Sequence, residues 1–114
     1  MIAYVRSARF FTMRGSLLSY RGTPDAFEAV RGRGEKASLE RFELRDNIVD
    51  GQSVGLFHNI QWNCCPTGRV IVADNSAPHV TKYGVWFEGG MPSSPPVVVS
   101  NDFGTVPPVV TLLP

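Results

Sequence analysis

A chain of 114 residues, 43% hydrophobic and 18% charged, is long enough for one modest core and too apolar for global disorder. Its formal net charge of +1 gives no reason to expect a polyanionic partner, and no apolar run approaches the ~20 residues of a membrane-spanning helix. Eleven glycines and nine prolines favour a turn-rich β protein over a helical bundle.

The charge is unevenly spread. Residues 1–23 carry Arg6, Arg9, Arg14 and Arg21 and no acid, whereas residues 83–114 carry only Glu88 and Asp102 and no Lys or Arg. Ends of opposite sign suit head-to-tail or arm-to-neighbour contacts between subunits. The first 22 residues are also Arg-bearing, Ser-containing and acid-free, as mitochondrial presequences are. They lack the apolar run of a secretory signal and are expected to belong to the mature structure.

In chain order, residues 2–13 alternate loosely, with Ile2, Tyr4, Ala8 and Phe10 on one side and Val5, Phe11 and Met13 on the other. Neither side is polar, so residues 1–22 read as a first strand or an arm touching something on both faces. Thr23-Pro24-Asp25 has the chemistry of a helix start and predicts a short helix near 24–31, ended by Gly32 and Gly34. Leu39, Phe42 and Leu44 point to a strand over 39–46. Val54, Leu56, His58, Ile60 and Trp62 share one face of a period-two pattern, and residues 68–74 and 79–90 are further strands between turn clusters.

The short spacing between these strands predicts a small antiparallel β-sandwich or barrel occupying 23–90. Residues 91–114 then form a proline- and valine-rich arm. Pro95-Pro96 and Pro107-Pro108 stand at the starts of two short strands, each followed by valines that need a surface to cover them.

Chemistry-bearing residues are few. Cys64 and Cys65 are adjacent, a spacing at which ordinary disulfide geometry is hard to reach, so they read as reduced thiols at a buried turn in a reducing compartment. His58, Cys64, Cys65 and His79 could be drawn as a zinc quartet, and Cys64 with His79 as a nucleophile and base, but neither matches a usual spacing. His58 reads as a hydrogen-bonded core histidine. RGRGEK (31–36) lacks the lysine-serine ending of a phosphate loop and reads as a solvated loop. Arg6 and Arg9 beside Phe10 and Phe11 could stack on bases or lie in a protein groove.

No enzyme motif, metal or cofactor is expected. The apolar, proline-broken tail and the basic N-terminal segment suggest a non-enzymatic structural subunit of a large assembly, by class-level analogy a tailed-bacteriophage virion protein. Such a capsid cement, head or tail component would be assembled in the host cytoplasm. Its partners would be other protein subunits, with homo-oligomerisation expected, as a trimer at a three-fold site, and with no membrane or nucleic-acid contact. The expected partner-binding residues are Arg9, Phe10 and Phe11 near the N-terminus and Val97, Val98, Val99, Val109, Val110 and Leu112 in the tail. The alternatives are an accessory subunit of an organellar ribosome or respiratory complex, in the organelle matrix, and a small β-barrel with a ligand on the Trp62 or Trp86 face.

Overall fold

The computed structural model describes residues 1–19 and 27–112. Among these residues every regular element is a strand, and every pairing between strands is parallel. The chain winds as a β-solenoid of about four turns. The first coil holds β1 (Ala3–Arg6), β2 (Ala8–Arg14) and β3 (Leu17–Ser19). The second holds β4 (Val30–Arg33), β5 (Leu39–Arg45) and β6 (Ile48–Asp50). The third holds β7 (Phe57–Ile60) and β8 (Thr67–Ala73), and the fourth β9 (Val85–Glu88) and β10 (Val97–Val99). The two-residue β11 (Val109–Val110) begins another.

Stacking the coils generates three walls. One sheet runs β1-β4-β7-β9-β11, a second β2-β5-β8-β10, and a third joins β3 to β6. Single bridges at Ser76 and Asp102 carry the third wall onward. The expected antiparallel sandwich or barrel is therefore overturned. Closely spaced strands suggested hairpins, but each short connection here is a corner that turns the chain onto the next wall. The hydrogen-bonding neighbour of a strand lies a full coil away.

The helix expected near 24–31 does not form over its described part. The amides of Ala29 and Val30 donate to the carbonyls of Gly55 and Leu56 at 3.0 and 2.9 Å, which is sheet pairing, and Val30 opens β4. The proposed cap at 23–25 lies outside the described residues. RGRGEK is a loop only in its second half: Arg31, Gly32 and Arg33 lie within β4, and residues 34–36 follow it outside any strand. The strand expected over 39–46 forms as β5.

The inward columns make the core. Phe42 is fully buried, with Phe11 stacked on it along the axis at 5.1 Å and Phe57 across from it at 4.1 Å. Leu39, Leu44, Val70, Val72, Val85 and Phe87 complete the interior. Burial of each such side chain contributes roughly 1.5–3 kcal/mol. Asn59, also inward and fully buried, is satisfied by the Gly32 carbonyl and Thr67 Oγ1, to which it donates, and by Gln61, from which it accepts.

One corner repeats in every coil. Gly15, Asp46, Asp74 and Ser100 all take left-handed backbone angles, with φ of 61°, 56°, 58° and 57°. Glycine does so freely, and aspartate is among the residues that tolerate it best. The residue after each is Ser16, Asn47, Asn75 and Asn101, at separations of 31, 28 and 26 residues. These form a ladder. The Asn47 amide and Nδ2 donate to Asn75 Oδ1, and the Asn75 amide and Nδ2 donate to Asn101 Oδ1. Each Asn Nδ2 also donates to a carbonyl of the preceding coil, from Asn47 to Met13, from Asn75 to Leu44 and from Asn101 to Val72.

The tail is built into this stack. β10 pairs with β8 and β11 with β9, so the surface covering much of the valine-rich segment is the chain's own third and fourth coils. Asn101 is a ladder rung, and Phe103 is buried in the core.

Replacing Asn75 by Ala should destabilise the fold by roughly 2–4 kcal/mol, because it strands the buried Asn47 amide and the Leu44 carbonyl. Asn101→Ala strands the Asn75 amide and the Val72 carbonyl in a half-buried setting and should cost somewhat less. Chemical denaturation of the two variants checks this, and losses near zero in both would rule out the ladder as a source of stability.

Candidate functional site

The register of the first sheet places Tyr4, Arg31, His58 and Trp86 in one outward column. His58 was expected on the apolar inner face, but Phe57 and Asn59 point inward and His58 points out. It is nonetheless only 5% exposed, because its ring lies flat on Trp86, with centroids 4.0 Å apart and planes 2° from parallel. His58 Nε2 is 2.7 Å from Glu88 Oε1, and Nδ1 is 3.7 Å from Glu28 Oε1. Glu28 also pairs with Arg31, and Tyr83 meets Trp86 edge-on.

The electrostatics follow from this enclosure. Burial by itself would raise the Glu28 carboxyl, but the His58 ring and the Arg31 guanidinium beside it prevail and bring it down to about 2. Burial, with the Glu28 charge adding to it, pushes the Tyr83 hydroxyl well above its usual value. A histidine between two carboxylates has the makings of general acid–base chemistry. Here one nitrogen is held by Glu88, and the other is buried facing a carboxylate engaged by Arg31. The ring presents no nitrogen to a substrate, so the cluster pins the second, third and fourth coils together.

Around it, Arg6, Arg31 and Arg33 lie 4.7, 5.5 and 5.9 Å from the Tyr4 ring centroid, and Arg33 also stacks on the exposed Trp62 at 4.4 Å. Glu35 pairs with Arg33 and Arg6. These arginines bind carboxylates of their own chain. Trp62 is therefore an exposed ring covered by an arginine, and Trp86 a half-buried one covered by a histidine.

The cysteines also differ from expectation. Cys64 and Cys65 are joined as a vicinal disulfide, not left as reduced thiols, so Cys64 is not available as a nucleophile for His79. They form the corner between β7 and β8, where both sulfurs sit over the Glu35 carbonyl of the coil before, at 3.3 and 3.0 Å. That corner presses so closely on the second coil that a side chain at Gly34 would strike the Cys65 carbonyl. Among the described residues no group of three or more His, Cys, Asp or Glu side chains is arranged to hold a metal ion.

The residues expected to bind partners separate cleanly along the solenoid axis. Arg9, Phe10 and Phe11 lie on β2, at the N-terminal end. Phe10 is 67% exposed with the Arg9 guanidinium over its ring at 5.5 Å, while Phe11 points inward onto Phe42. Beside them a shallow groove is lined by Ser7, Ala8, Arg9, Ala37, Ser38 and Glu40. Val97, Val98, Val99, Val109, Val110 and Leu112 gather at the C-terminal end. Val98 packs against the core, Val99 is half exposed and Leu112 is 86% exposed. The structure thus joins each group within itself and sets the two groups at opposite ends. Sequence reading missed the Glu28–Arg31–His58–Glu88 network. The available signal was the step of 27 to 28 residues that brings Arg31, His58 and Trp86 into one column.

Comparison of the chain with known proteins found no matching family model, no similar curated protein and no similar solved structure.

Glu28→Gln should lower stability at pH 7 by roughly 1–3 kcal/mol, because Arg31 and His58 lose a charged partner. The Glu28 carboxyl is depressed in the folded chain relative to its ordinary 4.5. Its contribution is therefore present above that value and lost as the pH falls towards about 2. Thermal melts of the two proteins should differ at pH 7 and converge near pH 2. A gap independent of pH would mean that the carboxylate charge is not what matters.

Proposed function

We propose that this chain is a non-enzymatic structural subunit of a larger protein assembly, with a tailed-bacteriophage virion as its setting, and that it binds neighbouring subunits through its solenoid ends. The observation that carries this reading is where the unused binding capacity lies. On the outer face of the first sheet, Arg6, Arg31, Arg33, their carboxylates and His58 are engaged with one another, and the apolar surface left on the walls is chiefly Leu17 and Ile48 on the third. At the ends, strands have a hydrogen-bonding neighbour on one side only among the described residues, and Phe10, Val99 and Leu112 are exposed. A parallel stack of coils is also a suitable mechanical element, since each coil is fixed by its neighbours through continuous backbone ladders. Many weak end contacts on a repetitive assembly would sum by avidity.

The experiment is sedimentation of an extract of the chain's native source on a density gradient, with the chain followed by antibody. The chain should run with large particles, and Phe10→Asp, which leaves the core untouched, should shift it towards the top. Recovery of the unsubstituted chain only as free protein would overturn the reading.

A further inference from the structure

We propose that the two ends are not equivalent: the N-terminal end is an open site that takes an added acidic β-strand from a different protein, and the C-terminal end, whatever its exposed side chains touch, is closed to strand addition. This rests on the reading of the chain as an assembly subunit and names the chemistry of the partner.

The asymmetry begins with the edges. β2 is seven residues long and, among the described residues, pairs only with β5, so its other side offers a long row of backbone donors and acceptors. At the opposite end β10 has three residues and follows Pro95-Pro96, and β11 has two and follows Pro107-Pro108. Short edge strands and prolines, which carry no N–H, are the features that prevent further strand addition.

The core cross-sections differ in the same sense. In register, Ala8, Phe11 and Met13 stand over Leu39, Phe42 and Leu44. The second-coil residues are fully buried, while their first-coil partners are only partly covered. At the C-terminal end Phe103 folds over the fourth coil and is buried. Its ring occupies the space that a side chain at Gly84 would need.

Charge selects the occupant. The described residues of the first coil carry Arg6, Arg9 and Arg14 and no acid. Arg14 has no ion pair among the described residues. Arg6 and Arg9 reach Glu35 and Glu40 of the second coil only at 3.7 and 3.5 Å, with side chains 62% and 80% exposed. Exposed pairs of that kind are worth little and exchange readily for a better partner. A second copy is a poor occupant: end against like end sets arginine against arginine, and end to tail meets the proline-blunted edges. A strand from another protein, apolar on its inner face and acidic on its outer one, satisfies the free backbone, covers Phe11 and Met13, and neutralises the arginines.

The test uses the full chain and a labelled ten-residue peptide of alternating Val and Glu, with a Val and Lys peptide as control. Binding is read by anisotropy and located by hydrogen exchange. The Val/Glu peptide should bind and protect the amides of residues 8–14, and those of 97–99 and 109–110 should be unchanged. Arg9→Glu with Arg14→Glu, both exposed, should weaken binding by about tenfold or more while leaving the melting temperature close to that of the unsubstituted chain. Equal binding of the Val/Lys peptide, protection at 97–99, absence of binding, or concentration-dependent dimerisation of the chain alone would overturn the proposal. If the chain still sediments with large particles in any of those cases, the assembly reading stands and only the docking mode falls.

Discussion

Each coil must come back to its starting point displaced by one strand spacing, about 4.8 Å along the axis, or the next strand has nothing to pair with. Everything else in this structure follows from that closure. It requires corners at fixed places, which is why Gly15, Asp46, Asp74 and Ser100 repeat one left-handed conformation. A corner leaves backbone groups turned inward without a strand partner. The asparagine ladder supplies those partners, and because Asn47 and Asn75 are buried, the bonds at its centre are shielded from water. The separations of 31, 28 and 26 residues show that coil length itself is free to vary, so long as the excess is carried outside the ladder.

Much of the strand content was legible in the sequence, because alternating or β-branched runs mark strands whatever their partners are. Leu39 to Arg45, Arg69 to Ala73 and Val97 to Val99 are such runs, and the proline pairs do stand at strand starts. Pairing direction was not legible by that route, since a corner and a hairpin turn draw on the same residues. The distinguishing signal was repetition: Arg14-Gly15-Ser16, Arg45-Asp46-Asn47, Ala73-Asp74-Asn75 and Val99-Ser100-Asn101 hold one place in successive coils, yet their spacing drifts and only the polar residues agree. The helix expectation failed for a related reason. Ala29 and Val30 have no preference strong enough to resist ladder bonds to Gly55 and Leu56.

The candidate site shows the same balance. The partner-binding residues were picked as exposed or unsupported apolar groups, and several of them are exposed at the coil ends. Phe11 and Val98 pack partly on the chain's own core, which period two does not foretell, since it says which residues share a face, not which face is inside. His58 was assigned to the wrong face on the same ground. Its burial comes from Trp86, one coil further on, and from Glu28, one coil back; local sequence carries no trace of either contact. The vicinal disulfide belongs to this class as well, since its corner is set by how closely it must follow Gly34 and Glu35 beneath it.

Energetically a solenoid is close to one-dimensional, with each coil stabilised by the coil on either side. The terminal coils have one neighbour each, and a chain can meet that deficit by closing an end or by leaving it for a partner. The C-terminal coil closes: its strands are short, proline starts them, and Phe103 plugs the cross-section. The first coil keeps a long edge and part of its apolar face uncovered, which invites indiscriminate pairing. Its arginines restrain that tendency, because charge on an edge strand opposes association between identical copies. The same charges lower the barrier for an acidic strand. Specificity at this end therefore comes from repulsion as much as from attraction.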